Sequence, residues 1–144
     1  MPLTPDGVRF IAVHCSATSP KVKVNAAVID RWHRERGFRK IGYHFVINRD
    51  GSVEKGRDQY EIGAHVEGWN AVSVGVCLVG GVDEKNNPQD NFTNAQWTAL
   101  ERVVKRLLNV FPKAVVQGHR DFPNVRKACP SFDVKAWWQG ANIH

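Results

Sequence analysis

Val72-Ser73-Val74-Gly75-Val76-Cys77-Leu78-Val79 is nearly continuous in β-branched and small apolar residues. A strand with one wet face alternates apolar and polar positions; this run does not, so it reads as a central strand covered on both faces. Downstream, Gly80-Gly81 and the polar residues 83–91 form a loop. Thr93-Asn94-Ala95-Gln96 is a capping box, in which the hydroxyl and the amide each satisfy a free backbone N–H at a helix start. It opens the longest helix, whose apolar positions Trp97, Leu100, Val104, Leu107, Leu108 and Phe111 keep helical spacing until Pro112 stops it. Residues 114–117 are a last short strand, and Asp133 caps a terminal helix carrying Trp137 and Trp138. Upstream, residues 9–15 read as a strand, and Asn25 caps a helix to about Arg36, with Val28, Ile29 and Trp32 on one face and Gly37 as its stop. Residues 41–47 are a β-rich run, Asn48-Arg49-Asp50-Gly51 is a turn, and Val53 begins the returning strand of a hairpin. Strands interleaved with helices in this order predict an α/β fold, a single domain with a central mixed β-sheet flanked by helices.

At 144 residues the chain has room for one domain with a substantial core and is too short for two ordinary ones. It is 42% hydrophobic and 24% charged, which is a globular balance. Lys and Arg number 20 against 14 Asp and Glu, a net charge of +6 that favours polyanionic partners. The basic residues are scattered and form no single stripe, so direct nucleic-acid binding is not expected. Met1-Pro-Leu-Thr-Pro-Asp-Gly7 is polar and rich in turn formers, unlike a signal peptide, and no run reaches the ~20 apolar residues of a membrane span. The expectation is a monomer made and kept in a cytoplasm unless something else releases it. Three cysteines make no disulfide framework, which leaves free thiols or metal ligation.

Three residues stand out chemically. His14 ends the first strand, His119 follows the last one, and Cys129 lies ten residues further on. Two imidazoles and a thiolate are one ligand short of the four that close a structural zinc site, and a fourth position left for water is the arrangement of a hydrolytic metal. Each residue also has a plain structural reading, and the His119–Cys129 spacing matches no short zinc signature. On the residues alone both readings stand. Cys15, next to His14 on a strand, is expected to face the core, and Cys77 to be a small buried hydrophobe. His44 alternates with Tyr43 and is expected to face away from it; His33, on a charged helix face, is expected to be solvated. Asp121 is the only acid in the loop after His119, suited to orienting a histidine or capping a turn.

Six ordered motifs carry a resemblance: His14-Cys-Ser-Ala-Thr18, Gly42-Tyr43-His44-Phe45, Asn48-Arg-Asp-Gly51, Gly75-Val-Cys-Leu-Val-Gly80-Gly81, Asn91-Phe-Thr93 and Lys127-Ala-Cys-Pro-Ser-Phe-Asp133. Together they resemble the zinc-dependent N-acetylmuramoyl-L-alanine amidases, in particular their bacteriophage T7 lysozyme branch, which shares a fold with peptidoglycan recognition proteins. The similarity spans roughly residues 9–138 in the family's order, so one catalytic domain accounts for the whole chain. It implies one zinc ion held by His14, His119 and Cys129, the cysteine being the third ligand of the phage branch where many relatives have aspartate. It also implies catalytic roles for Tyr43 and Lys127: a cation beside the metal suits a tetrahedral oxyanion, and a phenol there can orient water and relay a proton. The stretch Gly63-Ala-His65-Val-Glu-Gly-Trp69-Asn70 resembles one bordering the family's substrate cleft, which makes His65, Trp69 and Asn70 candidate substrate contacts. The implied activity is hydrolysis of the amide between N-acetylmuramic acid and L-alanine in peptidoglycan, by a phage endolysin stored in the host cytoplasm. The phage branch also binds and inhibits its RNA polymerase through its N-terminal region, which here is short and contains Pro2, Pro5 and Gly7. The rival is a non-catalytic peptidoglycan receptor on the same fold.

Overall fold

The computed structural model describes residues 2–143. Five strands form one sheet: β1 (Phe10–Cys15), β2 (Phe45–Ile47), β3 (Val53–Lys55), β4 (Ser73–Leu78) and β5 (Val115–Gly118), in the order β3-β2-β4-β1-β5. The run that reads as a central strand is central: β4 is buried at every position, between β2 and β1 and parallel to both. β5 adds in parallel beyond β1, and β3 pairs antiparallel with β2 as the hairpin partner, so the sheet is mixed. Its flanking helices are α1 (Ala26–Glu35), α2 (Asn94–Val110) and α3 (Val134–Ile143).

Strand alternation divides the core in two. Ile11, Val13 and Cys15 of β1 and Val74, Val76 and Leu78 of β4 pack with Leu100, Val104 and Leu107 of α2, with Trp137 and Trp138 of α3 at the margin. On the opposite face, Ala26 and Ile29 of α1 cover Val46, Cys77 and Val79, while Ala12 packs with Val66 and Phe122. His14 shares the parity of Ala12, so it points to the face where α1 leaves part of the sheet to loops. Ligand sites in such sheets form beyond the carboxyl ends of parallel strands, and the ends of β1 and β5 meet there.

The helix ends follow the local chemistry. Asn25 Oδ1 accepts the Val28 N–H at 3.0 Å, and Gly37 ends α1 with φ +95°, a left-handed conformation suited to glycine. β2 is shorter than the β-rich run because the backbone at Gly42 turns to meet Ala64, whose amide donates to the Gly42 carbonyl at 3.1 Å. A Cβ on Gly42 would lie 2.0 Å from the Ala64 oxygen, so only glycine permits this approach.

The capping box does more than start α2. Gln96 Oε1 accepts the Thr93 N–H at 3.0 Å, while its fully buried Nε2 donates to Ile47 O at 3.1 Å and Val79 O at 2.9 Å, joining the helix to the ends of β2 and β4. Gln96→Ala removes three hydrogen bonds: the Thr93 N–H loses its acceptor, while Ile47 O keeps only the Val79 N–H at 3.0 Å and Val79 O only the Arg49 guanidinium at 3.4 Å. It is expected to destabilise the fold by about 2–4 kcal/mol. Urea denaturation measures this; a midpoint equal to that of the unmodified protein would contradict it.

Candidate active site

Beyond β5 the chain makes a tight 3-10 turn, His119–Asp121, closed by Asp121 Oδ2 accepting the Gly118 N–H at 2.8 Å. Asp121 therefore caps the turn. The Arg120 N–H donates to the Cys129 carbonyl at 2.9 Å, bringing the distant loop back against the turn. The Cys15 N–H donates to Cys129 Sγ at 3.1 Å, which fixes the sulfur at the end of β1 beside His14. His14, His119 and Cys129 thus converge, their ligand atoms all within 4.8 Å of one another. The two imidazole centroids are 4.5 Å apart.

The electrostatics favour a metal at this point. Burial, then charge repulsion from His65 and His119, holds His14 well below the usual histidine range. Burial, then the Lys127 cation, lowers His119. Both rings are therefore neutral near pH 7, with lone pairs free to bind. The hydrogen bond with Cys15, and next burial, raises the Cys129 thiol, and a dication reverses that preference. Two neutral imidazoles and one thiol fit zinc in charge and softness, and one ion bonded at about 2.0–2.3 Å would draw the three together.

A cleft of about 840 Å³ opens beside this cluster, and Tyr43, His65, Trp69, Asn70, His119 and Lys127 are among the residues lining it. The Tyr43 ring lies between His14 and His33, at 5.0 and 5.3 Å. Burial, then the neighbouring Cys77, raises its phenol well above the usual tyrosine range, so it stays protonated. Lys127 is exposed at the cleft edge, with its charge felt by both histidines of the cluster.

The three residues of the 63–70 stretch are placed differently from one another. His65 touches the cluster itself, its Nδ1 2.9 Å from His14 Nε2. Asn70 Oδ1 accepts the N–H groups of His65 and Val66 at 2.8 and 2.9 Å, so its oxygen holds the loop together. Trp69 lines the cleft and packs edge-on against Phe10, with centroids 5.5 Å apart.

One sequence expectation is corrected. His33 is buried, not solvated, because its Nδ1 accepts the Gly42 N–H at 2.9 Å and its ring packs on Tyr43. The signal was present in the spacing: Ala26, Ile29 and His33 form the buried face of α1. Cys15 enters the core as expected, and its backbone N–H and carbonyl meet Cys129 Sγ at 3.1 and 3.9 Å, so it borders the ligand cluster as well. Cys77 is fully buried as expected. His44 is also fully buried: its Nδ1 accepts the Gly75 N–H at 3.0 Å and its Nε2 meets Glu61 O at 2.6 Å. Sequence reading missed Arg36 and Phe38, which line the cleft from the segment after α1.

Comparison with known proteins gives consistent results. The chain is 53% identical to the endolysin of Enterobacteria phage K11, over 87% of this chain and 82% of that protein. It is 48% identical to the endolysin of Escherichia phage T7, over 90% of this chain and 84% of that protein. The solved structure of the endolysin N-acetylmuramoyl-L-alanine amidase LysCS from Clostridium intestinale URNW superposes with a TM-score of 0.80 at 25% identity, covering 99% of this chain and 88% of that one. The model of the family described as N-acetylmuramoyl-L-alanine amidase matches residues 4–132, which takes in the whole sheet, the cleft and the His14–His119–Cys129 cluster. With that match, this chain belongs to the N-acetylmuramoyl-L-alanine amidase family.

Proposed function

We propose that this amidase is a zinc-dependent phage endolysin. It cleaves the amide joining the lactyl group of N-acetylmuramic acid to L-alanine in peptidoglycan, with the whole chain acting as one catalytic domain and as a monomer. The observation that carries this reading is the convergence of His14, His119 and Cys129 at the edge of a cleft lined by Tyr43 and Lys127. Zinc bound to the three would supply Lewis acidity, polarising a carbonyl and making water a nucleophile at neutral pH. Lys127 holds a positive charge where the tetrahedral oxyanion develops. Tyr43, a neutral phenol, orients the attacking water and passes a proton toward the leaving amine. Trp69 and Asn70 offer the cleft an aromatic face and an amide for sugar or peptide. Synthesis in the host cytoplasm and action on the wall after release fit an endolysin. No helix among the described residues is long and apolar enough to cross a membrane.

Digestion of purified peptidoglycan tests the bond. Free L-alanine amines are expected to appear while the glycan strands stay uncut. A glycosidase would place two carboxylates across the scissile bond, whereas Glu67 is the one acidic residue lining the cleft among the described residues, so no carboxylate pair faces it. New reducing ends without new amines would contradict the reading. A digest with neither product would favour the receptor alternative, which needs the cleft but none of the ligands and proton-transfer groups. The polymerase contact implied by the T7 lysozyme resemblance is a second reading. Leu3 and Val8 are buried against the domain and residues 4–7 are exposed between them, a short surface for a partner. Co-purification with the cognate phage RNA polymerase tests it.

A further inference from the structure

In register, Phe10 pairs with Ser73, Ala12 with Gly75 and His14 with Cys77, so these side chains share one face of the sheet. The His65 ring occupies the space left by two glycines on this side. A Cβ on Gly75 would lie 2.7 Å from His65 Cγ, and one on Gly63 2.7 Å from His65 Cδ2. From this seat the ring reaches His14 through Nδ1, at 2.9 Å, and Ser73 Oγ through Nε2, at 3.4 Å. Ser73 Oγ in turn lies 2.8 Å from the Trp69 carbonyl oxygen.

We propose that His65 is a positioning residue for His14: a one-way chain of hydrogen bonds fixes the His14 tautomer, leaving Nδ1 as the lone-pair nitrogen available to a metal. The direction follows from the far end. A backbone carbonyl only accepts, so the Ser73 hydroxyl spends its single proton on Trp69 O. Ser73 Oγ must then accept, which puts the His65 proton on Nε2. A neutral imidazole has one donor and one acceptor nitrogen, so His65 Nδ1 is the acceptor. The proton in the 2.9 Å contact therefore belongs to His14 Nε2, and His14 Nδ1 carries the free lone pair. Each member of the chain is seated by backbone or packing, so the tautomer is set before any ion arrives. Outer partners of this kind orient a ligand ring and raise its basicity. The inference rests on the zinc reading above in its purpose; the tautomer itself does not depend on it.

The test therefore has two arms. Two-bond proton–nitrogen NMR on metal-free, nitrogen-15-labelled protein, at a pH where the rings are neutral, reads the tautomer directly. His14 is expected as the Nε2–H form, and Ser73→Ala and His65→Phe are expected to mix the two forms. Competition with a chelator for zinc reads the consequence. His65→Phe is expected to weaken zinc binding by about 10–100-fold, and His65→Gln, whose side-chain carbonyl can accept the His14 proton, to regain part of the loss. A His14 found as the Nδ1–H form in the unmodified protein overturns the proposal. So does a folded His65→Phe with undiminished zinc affinity, or a folded His65→Gln no better than His65→Phe. If the unmodified protein takes up no zinc, the metal reading fails instead, and the tautomer arm still decides the chain.

Discussion

Cys129→Ser is expected to lose zinc and lytic activity together while keeping its fold. Serine matches the thiol in shape but stays protonated at neutral pH, so the site loses its one anionic ligand and the charge match to a dication. The cost in zinc affinity should exceed the roughly 10–100-fold that follows loss of an outer partner. The fold should survive, because the main core joins β1, β2 and β4 to α2 through side chains that do not depend on the cluster. This separates the site from a zinc finger, in which metal binding is the folding free energy. Chelation of the unmodified protein is expected to have the same effect: no lysis, with little loss of structure. Metal content, thermal unfolding and lysis of peptidoglycan measured on the same preparation check all three parts. Full activity in Cys129→Ser would contradict the assignment of the ligand.

Tyr43→Phe and Lys127→Ala are expected to have the opposite signature, with zinc retained and amide hydrolysis reduced by about 10²-fold or more each. Phenylalanine preserves the ring between His14 and His33 and removes only the hydroxyl, so a loss of rate reports proton transfer and water orientation. Lys127 is exposed, so its removal should cost the fold little. Removing its charge also removes one of the influences that lower His14 and His119. Zinc content measured beside the rate separates a lost oxyanion partner from a disturbed ligand set. If either variant cleaves purified peptidoglycan at the unmodified rate, the role given to that residue is wrong.

Much of the fold was legible because the relevant signals are local. A fully buried parallel strand has no alternation, and Val72–Val79 had none; a capping box leaves its mark within four residues, and Thr93 to Gln96 had it. The second role of Gln96, tying α2 to the ends of β2 and β4, was not legible, because its partners are backbone carbonyls 49 and 17 residues away. The candidate ligands could be named from residue type and strand position, but their convergence could not be derived from spacing. It depends on the Arg120–Cys129 backbone hydrogen bond and on the Cys15 N–H reaching across 114 residues to Cys129. His33 was misread because the polar residues around it outweighed the buried spacing it shares with Ala26 and Ile29. His65 could be flagged near the site, while its contact with His14 depends on two glycines whose missing side chains make room for the ring.

The most direct measurement of the central claim is anomalous diffraction at the zinc edge from crystals of lytically active protein. The account expects a single strong peak bonded to one nitrogen each of His14 and His119 and to the sulfur of Cys129. Active crystals with no peak there, or with the metal held by other residues, would contradict it.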